Sequence, residues 1–231
     1  FADIAVCKPL ARTFVYRIAE PIEVGCRVVV PFRKQEEDGF VVGIHREAPA
    51  GVKPESILDI LKVADPQPLI QPDIFKLCRW ISEYYLAPLG EVLKSALPPA
   101  ISQKHIEKWT GAGLGEKTAV HVIDSPNRLT TDQLTALFSI QEIQGFHTVL
   151  IHGVTGSGKT EVYLKAVEHC LAQGKTALIL VPEIGLTPQL TGRFAERFPD
   201  RTAILHSALT RKQRIDEWLR IREGGAPIVI G

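Results

Sequence analysis

The chain has 231 residues, 45% of them hydrophobic and 23% charged, a profile that excludes a disordered or membrane-embedded chain and allows one large domain or two ordinary ones. Its net charge of +1 hides no basic half, because residues 1–104 hold 13 Lys plus Arg against 13 Asp plus Glu and the remainder 14 against 13. Nucleic-acid binding would therefore depend on local pockets or stripes and not on a global positive field.

No run approaches the roughly 18 apolar residues that span a bilayer, and the start "FADIAVCKPLARTF" lacks the zones of a signal peptide, so a cytosolic chain is expected. Cys7, Cys26, Cys78 and Cys170 form no C-x-x-C pair and read as buried free thiols before zinc ligands. Met is absent and Phe1 comes first, which reads as a fragment or a sequence with residues missing.

Residues 1–65 alternate short β-type runs, "DIAVC", "TFVYRIA", "CRVVVPF", "GFVVGIH" and "ILDILKV", with turn residues, which predicts a small barrel or sandwich. After "DPQPLIQP", Ile74, Leu77, Cys78, Ile81 and Tyr85 recur at helical spacing. A helix over 73–85 is expected, capped by Asp73 and packed on the strands. Paired prolines and Gly or Ser turn points then mark a boundary between 97 and 127. The expected division is a first domain at 1–100, a linker at 101–127 and a second domain at 128–231.

From residue 129 the rhythm changes. "LTTDQLTALFSIQEI", "KTEVYLKAVEHCLAQG", "LTPQLTGRFAERF" and "TRKQRIDEWLRIREGG" predict helices, the second ended by Gly174; "HTVLIHG", "TALILVP", "TAILH" and "PIVIG" predict strands. Continuous apolar strands between helices predict a parallel sheet covered on both faces, with four loops delivered to one edge.

"GVTGSGKT" fits the pattern G-x-x-x-x-G-K-[ST], with an apolar run entering and a helix leaving. Gly153, Val154, Thr155, Gly156, Ser157, Gly158, Lys159 and Thr160 are therefore the candidate nucleotide loop. Its backbone N–H groups and the helix N-terminus suit phosphate oxygens; Lys159 would reach the β- and γ-phosphates and Thr160 would hold Mg²⁺. Gln133, twenty residues upstream, carries the acceptor and donors that match adenine's edge, or is one of many surface glutamines. "LVPEIGLTPQ" makes a rigid turn at a strand's carboxyl end, where Thr187 and Gln189 suit phosphates along a nucleic-acid strand unless they are ordinary loop and cap residues. "ILHS", ending at Ser207, repeats the strand-then-loop pattern.

"LIHGVTGSGKTEVYL", "LVPEIGLTPQL", "LHS" and "R-x-x-E-W-x-x-I-R-E-G" before "IVIG" resemble the PriA family of bacterial primosomal replication-restart helicases of superfamily 2. "RTFVY" and "GCRVVVPF" resemble the same family's small DNA-binding domain. The resemblance implies α+β and α/β architecture: a β-barrel-like N-terminal DNA-binding domain, then a RecA-like parallel α/β helicase lobe that is incomplete at its C-terminus. It implies an ATP-dependent 3′ to 5′ DNA helicase that recognises stalled or abandoned replication forks and initiates primosome assembly. ATP and Mg²⁺ are the implied cofactors. Forked DNA, a single-stranded 3′ end, single-stranded DNA-binding protein and other primosome proteins are the implied partners, in the cytoplasm of a bacterium and near its nucleoid, with no membrane. By the same resemblance Phe14, Val15 and Arg33 would meet the 3′ end, Gln133 the adenine, and Thr187, Gln189, His206 and Ser207 the DNA-facing edge.

The chain departs from the family's pattern in places. An acidic residue often follows "RTF" and a glycine follows "PF", where Val15 and Arg33 stand. Phe14 can stack on a terminal base or fill a core, and Arg33 can meet a phosphate. Only about thirty residues stand where the family places a winged-helix domain, fewer than an independently stable domain needs. The family's D-E-x-H carboxylates, zinc-binding cysteines and second motor lobe would lie beyond Gly231, so no zinc ligand is expected here, and this chain alone is expected to hold ATP weakly and turn nothing over. Two other classes fit the residues: a P-loop kinase or GTPase with an unrelated N-terminal domain, and a fork-end binding module without catalysis.

Overall fold

The structure, a computed structural model, describes residues 1–65, 67–99, 101–108, 128–182 and 188–231. The chain divides into two units, Phe1–Lys108 and Trp109–Gly231.

In the first unit β1 (Ala2–Val6), β2 (Phe14–Tyr16), β3 (Arg27–Phe32), β4 (Gln35–Ile44) and β5 (Lys62–Val63) pair antiparallel in the order β2-β1-β4-β3-β5. Side chains alternate between faces along a strand, so Ala2, Ile4 and Val6 of β1 and Val28 and Val30 of β3 join one buried cluster with Tyr16 and Val41. The outer strands also meet. Arg17, just after β2, donates its backbone N–H to Leu58 at 2.8 Å and accepts from Ile60 at 3.1 Å. Where a small barrel or sandwich was expected, the unit shows one five-stranded sheet with its edges tied at Arg17, and no second sheet among its described residues. "ILDILKV" contributes only two residues to the ladder, because its first half bonds to Arg17 instead.

The helix α1 (Pro72–Tyr84) begins with Gln71 at its N-cap and Pro72 in its first turn, where a missing N–H costs nothing; Asp73 lies inside the helix and does not cap it. Nor does α1 seal the sheet: of its residues only Cys78 is buried, and Ile74, Leu77, Trp80 and Tyr84 are exposed. That task falls to α2 (Leu89–Ser95), where a Cβ at Gly90 would collide with the Val6 carbonyl. Only glycine allows the helix so close to β1. α3 (Gln103–Glu107) follows, and the Ile101 carbonyl before it accepts from Arg27 at 2.8 Å while Arg27 Nε pairs with fully buried Asp65 at 2.8 Å. Burial is the first cause that pushes the half-buried Cys7 thiol from its ordinary 9.0 up to about 12, with neighbouring Asp38 adding to it; Cys26 and Cys78 are buried and also raised.

In the second unit α4 (Thr131–Gln141) and α5 (Lys159–Ala172) precede β6 (Ala177–Ile179), α6 (Pro188–Arg197), β7 (Thr202–Ile204), α7 (Arg211–Arg222) and β8 (Ile228–Ile230). The strands pair in parallel in the order β6-β8-β7. Leu164, Val167 and Leu171 of α5 bury against Phe194 and Phe198 from α6 and the turn after it, and Ile228 and Ile230 of β8. α4 and α7 each open with a capping box, Thr130 with Gln133 and Thr210 with Gln213, and Gly174 ends α5 at φ +70°.

Two expectations change here. "HTVLIHG" is not a strand: no described strand lies beside it to share hydrogen bonds, and Val149 and Leu150 are exposed. Among the described residues the parallel sheet has three strands, not four. The sheet is also not covered throughout, since Leu178 and Leu180 are 67% and 75% exposed. Among the described residues no helix is long and apolar enough to cross a membrane, and no group of His, Cys, Asp and Glu could hold a metal ion.

Candidate nucleotide and DNA-end sites

The loop at 153–160 closes on itself. Lys159 Nζ donates to the carbonyls of Gly153 at 2.6 Å and Val154 at 2.9 Å, so the cation sits inside the loop. Gly156 and Gly158 take left-handed φ values of 82° and 80°, which turn the backbone into the helix N-terminus. Gly153 is close-packed as well, because a Cβ there would stand 2.7 Å from Ser157 Oγ. Among the described residues nothing accepts from the backbone N–H groups of Gly156, Gly158, Lys159 and Thr160. Four unpaired donors, one lysine and a helix N-terminus form the donor set that phosphate oxygens require.

An open cleft of about 930 Å³ spreads from the loop, lined also by Gln133, Glu161, Arg128, Gln189 and Arg193. Arg128, Lys159 and Arg193 bring three cations, and Glu161 Oε1 is buried with no hydrogen-bond partner among the described residues. Polyphosphate suits the cations, and a hydrated Mg²⁺ beside Thr160 suits the orphaned carboxylate oxygen.

Gln133 has two structural tasks. Its Oε1 accepts from the Thr130 N–H at 2.9 Å, completing the cap of α4, and its Nε2 donates to the Ser157 carbonyl at 2.9 Å. One amide N–H and one lone pair stay open, the pair an adenine edge would take. Gln189, read as DNA-facing, lines the P-loop cleft. Thr187 lies outside the described residues. His206 and Ser207, at the carboxyl end of β7, are held by Arg214 of α7, whose guanidinium donates to their carbonyls at 3.2 and 3.5 Å.

A second cluster forms on the sheet of the first unit. Phe14 and Phe32 meet edge to face, centroids 5.0 Å apart, and both lean on the sheet's buried core. Arg12 sits over Phe14 at 4.9 Å and Arg33 over Phe32 at 5.6 Å, each a cation on a ring face. Tyr16 Oη, donating to the Pro31 carbonyl at 3.0 Å, ties β2 to the end of β3 and so sets the two phenyl rings together. Val15 lies on the opposite face, in register with Asp3 of β1. Sequence reasoning named Phe14 and Arg33 but missed Arg12, Phe32, Arg128 and Arg193. The basic residues flanking "RTF" and the P-loop helix pattern were visible, but no periodicity says which of them face a site.

Two known families match the chain, one along each unit. Residues 3–98 match the family described as 3'DNA-binding domain (3'BD), and residues 130–231 match DEAD/DEAH box helicase. The replication restart protein PriA of Treponema pallidum is 34% identical over 229 residues, covering 96% of this chain and 34% of the relative.

The chain belongs to the PriA family. PriA of Haemophilus influenzae is 31% identical over 300 positions, covering 99% of this chain and 41% of the relative, and PriA of Bacillus subtilis is 47% identical over 109 positions, 46% of this chain. The chain spans about a third of the length of the first of these PriA relatives. An alignment of 300 positions against 231 residues means that the H. influenzae PriA carries extra residues inside the matched span; the T. pallidum alignment, at 229 positions, leaves no room for an insertion of that size. The short connection between the two matched regions thus has a counterpart in one PriA relative.

Proposed function

We propose that this chain supplies the DNA-end-binding unit and the nucleotide-binding part of an ATP-dependent 3′ to 5′ DNA helicase. That helicase would recognise stalled or abandoned replication forks and initiate primosome assembly for restart. The observation that carries the motor reading is the closed P-loop: Lys159 held by the Gly153 and Val154 carbonyls beside four unpaired N–H donors. On nucleotide binding Lys159 exchanges those carbonyls for the β- and γ-phosphates, Thr160 holds Mg²⁺, and Gln133 offers its remaining donor and lone pair to adenine. Phe14 and Arg33 take the 3′ end of the nascent strand, and the carbonyl-held loop at His206 and Ser207 follows the DNA backbone. Single-stranded DNA-binding protein and primosome proteins are the partners this reading entails, in a bacterial cytoplasm.

No described carboxylate other than Glu161 enters the cleft, so on this reading the 231 residues by themselves bind ATP without turnover. Lys159→Ala in the full-length protein is the direct test. It should abolish unwinding of a forked duplex while leaving fork affinity within about twofold, because Lys159 meets ATP and not DNA. Unwinding that survives the substitution refutes the motor assignment.

A further inference from the structure

α5 starts on the same pattern as α4 and α7, a cap followed three residues later by Gln or Glu, yet it leaves its capping box open. In α4 and α7 that residue, Gln133 or Gln213, reaches back to the backbone N–H of the cap. In α5 it is Glu161, a usual partner in such a box, and the cap at Gly158 has no side-chain hydrogen bond. The backbone turn itself is closed, because the Glu161 N–H donates to the Gly158 carbonyl at 2.9 Å. The carboxylate therefore leaves the loop's N–H groups open.

Nothing else among the described residues takes it up. Glu161 Oε1 is buried without a hydrogen-bond partner, whereas Glu168 on the same helix is held by Lys165 at 3.2 Å and by Arg197 at 2.9 Å. Lys159, the nearest cation in sequence, spends its ammonium on the Gly153 and Val154 carbonyls. An ionised carboxylate only accepts, so a buried oxygen of this kind calls for a donor that arrives from outside the fold. Among the described residues Glu161 is also the one acid that lines the cleft, opposite the cations Arg128, Lys159 and Arg193.

Resting on the nucleotide reading above, we infer that Glu161 is a positioning residue that makes the metal-bound nucleotide, and not the bare polyphosphate, the form this cleft accepts. The three cations alone would hold either form. A carboxylate beside Thr160 penalises the bare one, since two anions in a partly buried cleft repel each other. With a hydrated Mg²⁺ between them the sign reverses, because the water ligands of the ion are the donors that Oε1 lacks. Glu161 thus acts through water on the ion that Thr160 holds.

The experiment measures the affinity of the full-length protein for a non-hydrolysable ATP analogue by isothermal titration, once in excess Mg²⁺ and once in EDTA. Wild type is expected to bind more tightly with Mg²⁺. Glu161→Gln should bind the metal-free analogue about tenfold more tightly than wild type does and gain less from Mg²⁺, so that the ratio of its two affinities shrinks about tenfold or more. A merely structural role would weaken both arms together and leave the ratio as it was. Because the carboxylate has no partner in the fold, Glu161→Ala without nucleotide should unfold within about 2 °C of wild type. A larger loss would mean that the carboxylate is committed inside the fold, and overturns the proposal. An unchanged ratio in Glu161→Gln overturns it too, while leaving the nucleotide reading in place. A wild type that binds the analogue in neither buffer overturns the nucleotide reading itself, and this inference with it.

Discussion

Gln133 Nε2 donates to the Ser157 carbonyl at 2.9 Å, so the first turn of α4 is braced against the phosphate-binding loop. Gln133→Ala removes the brace and the side-chain half of the capping box, and should lower stability by about 1 kcal/mol. Gln133→Glu divides the two roles: an oxygen can still accept from the Thr130 N–H, but a carboxylate then opposes the Ser157 carbonyl. Isothermal titration with a non-hydrolysable ATP analogue should show weaker binding for Glu than for Ala. Wild-type affinity in the Glu variant would mean that the brace does not shape the loop.

Gly158→Ala tests the same contact from the loop side. Its φ of 80° costs a β-carbon about 1 kcal/mol or more, and the new methyl would run into the Gln133 amide. Analogue affinity should fall about tenfold or more. The effects of Gly158→Ala and Gln133→Ala should not add, because the second removes the atom that the first meets. Strict additivity in the double variant would count against the contact.

Arg27→Leu is expected to be among the more damaging changes in the first unit. It leaves the fully buried Asp65 without its guanidinium and the Ile101 carbonyl without its donor, a loss of about 3 kcal/mol. Urea denaturation of this unit should show it. A shift under about 1 kcal/mol would mean that the carboxylate is compensated from elsewhere.

Cys7 makes the first unit's stability depend on alkaline pH. Its folded-state value of about 12 lies above the ordinary 9.0, so the unfolded chain releases this proton first. The contribution is complete below pH 9 and is lost as pH rises through about 12. The stability difference between wild type and Cys7→Ala should therefore narrow across that window. A constant difference would show that the thiol titrates normally in the fold.

Helices were the most legible part of the sequence because their signals are local. Gly174 marked the end of α5 that the structure shows, and the helical runs that begin at Leu129 and Thr210 are where α4 and α7 form. The segment "HTVLIHG" was not legible, because a strand is a property of a pair and composition cannot supply the neighbour. Asp73 misled for a related reason: Pro72 already occupies the first turn, which leaves Gln71 as the cap. At the site, the order of the glycines announced the P-loop, but Gln189 and Arg193 reach the cleft only through the placement of α6. The pairs of Arg12 with Phe14 and Arg33 with Phe32 are local, but the contact between Phe14 and Phe32 joins distant parts of the sequence, and only the register of β2, β1, β4 and β3 brings those two rings together.

The backbone bonds between Arg17 and the residues flanking Asp59 also bear on how each unit behaves in concentrated solution. A sheet whose outermost strands are already joined offers little for a second copy to extend, whereas β6 is an outer strand with Leu178 and Leu180 uncovered. Expressed separately, the first unit should stay monomeric at concentrations where the second self-associates.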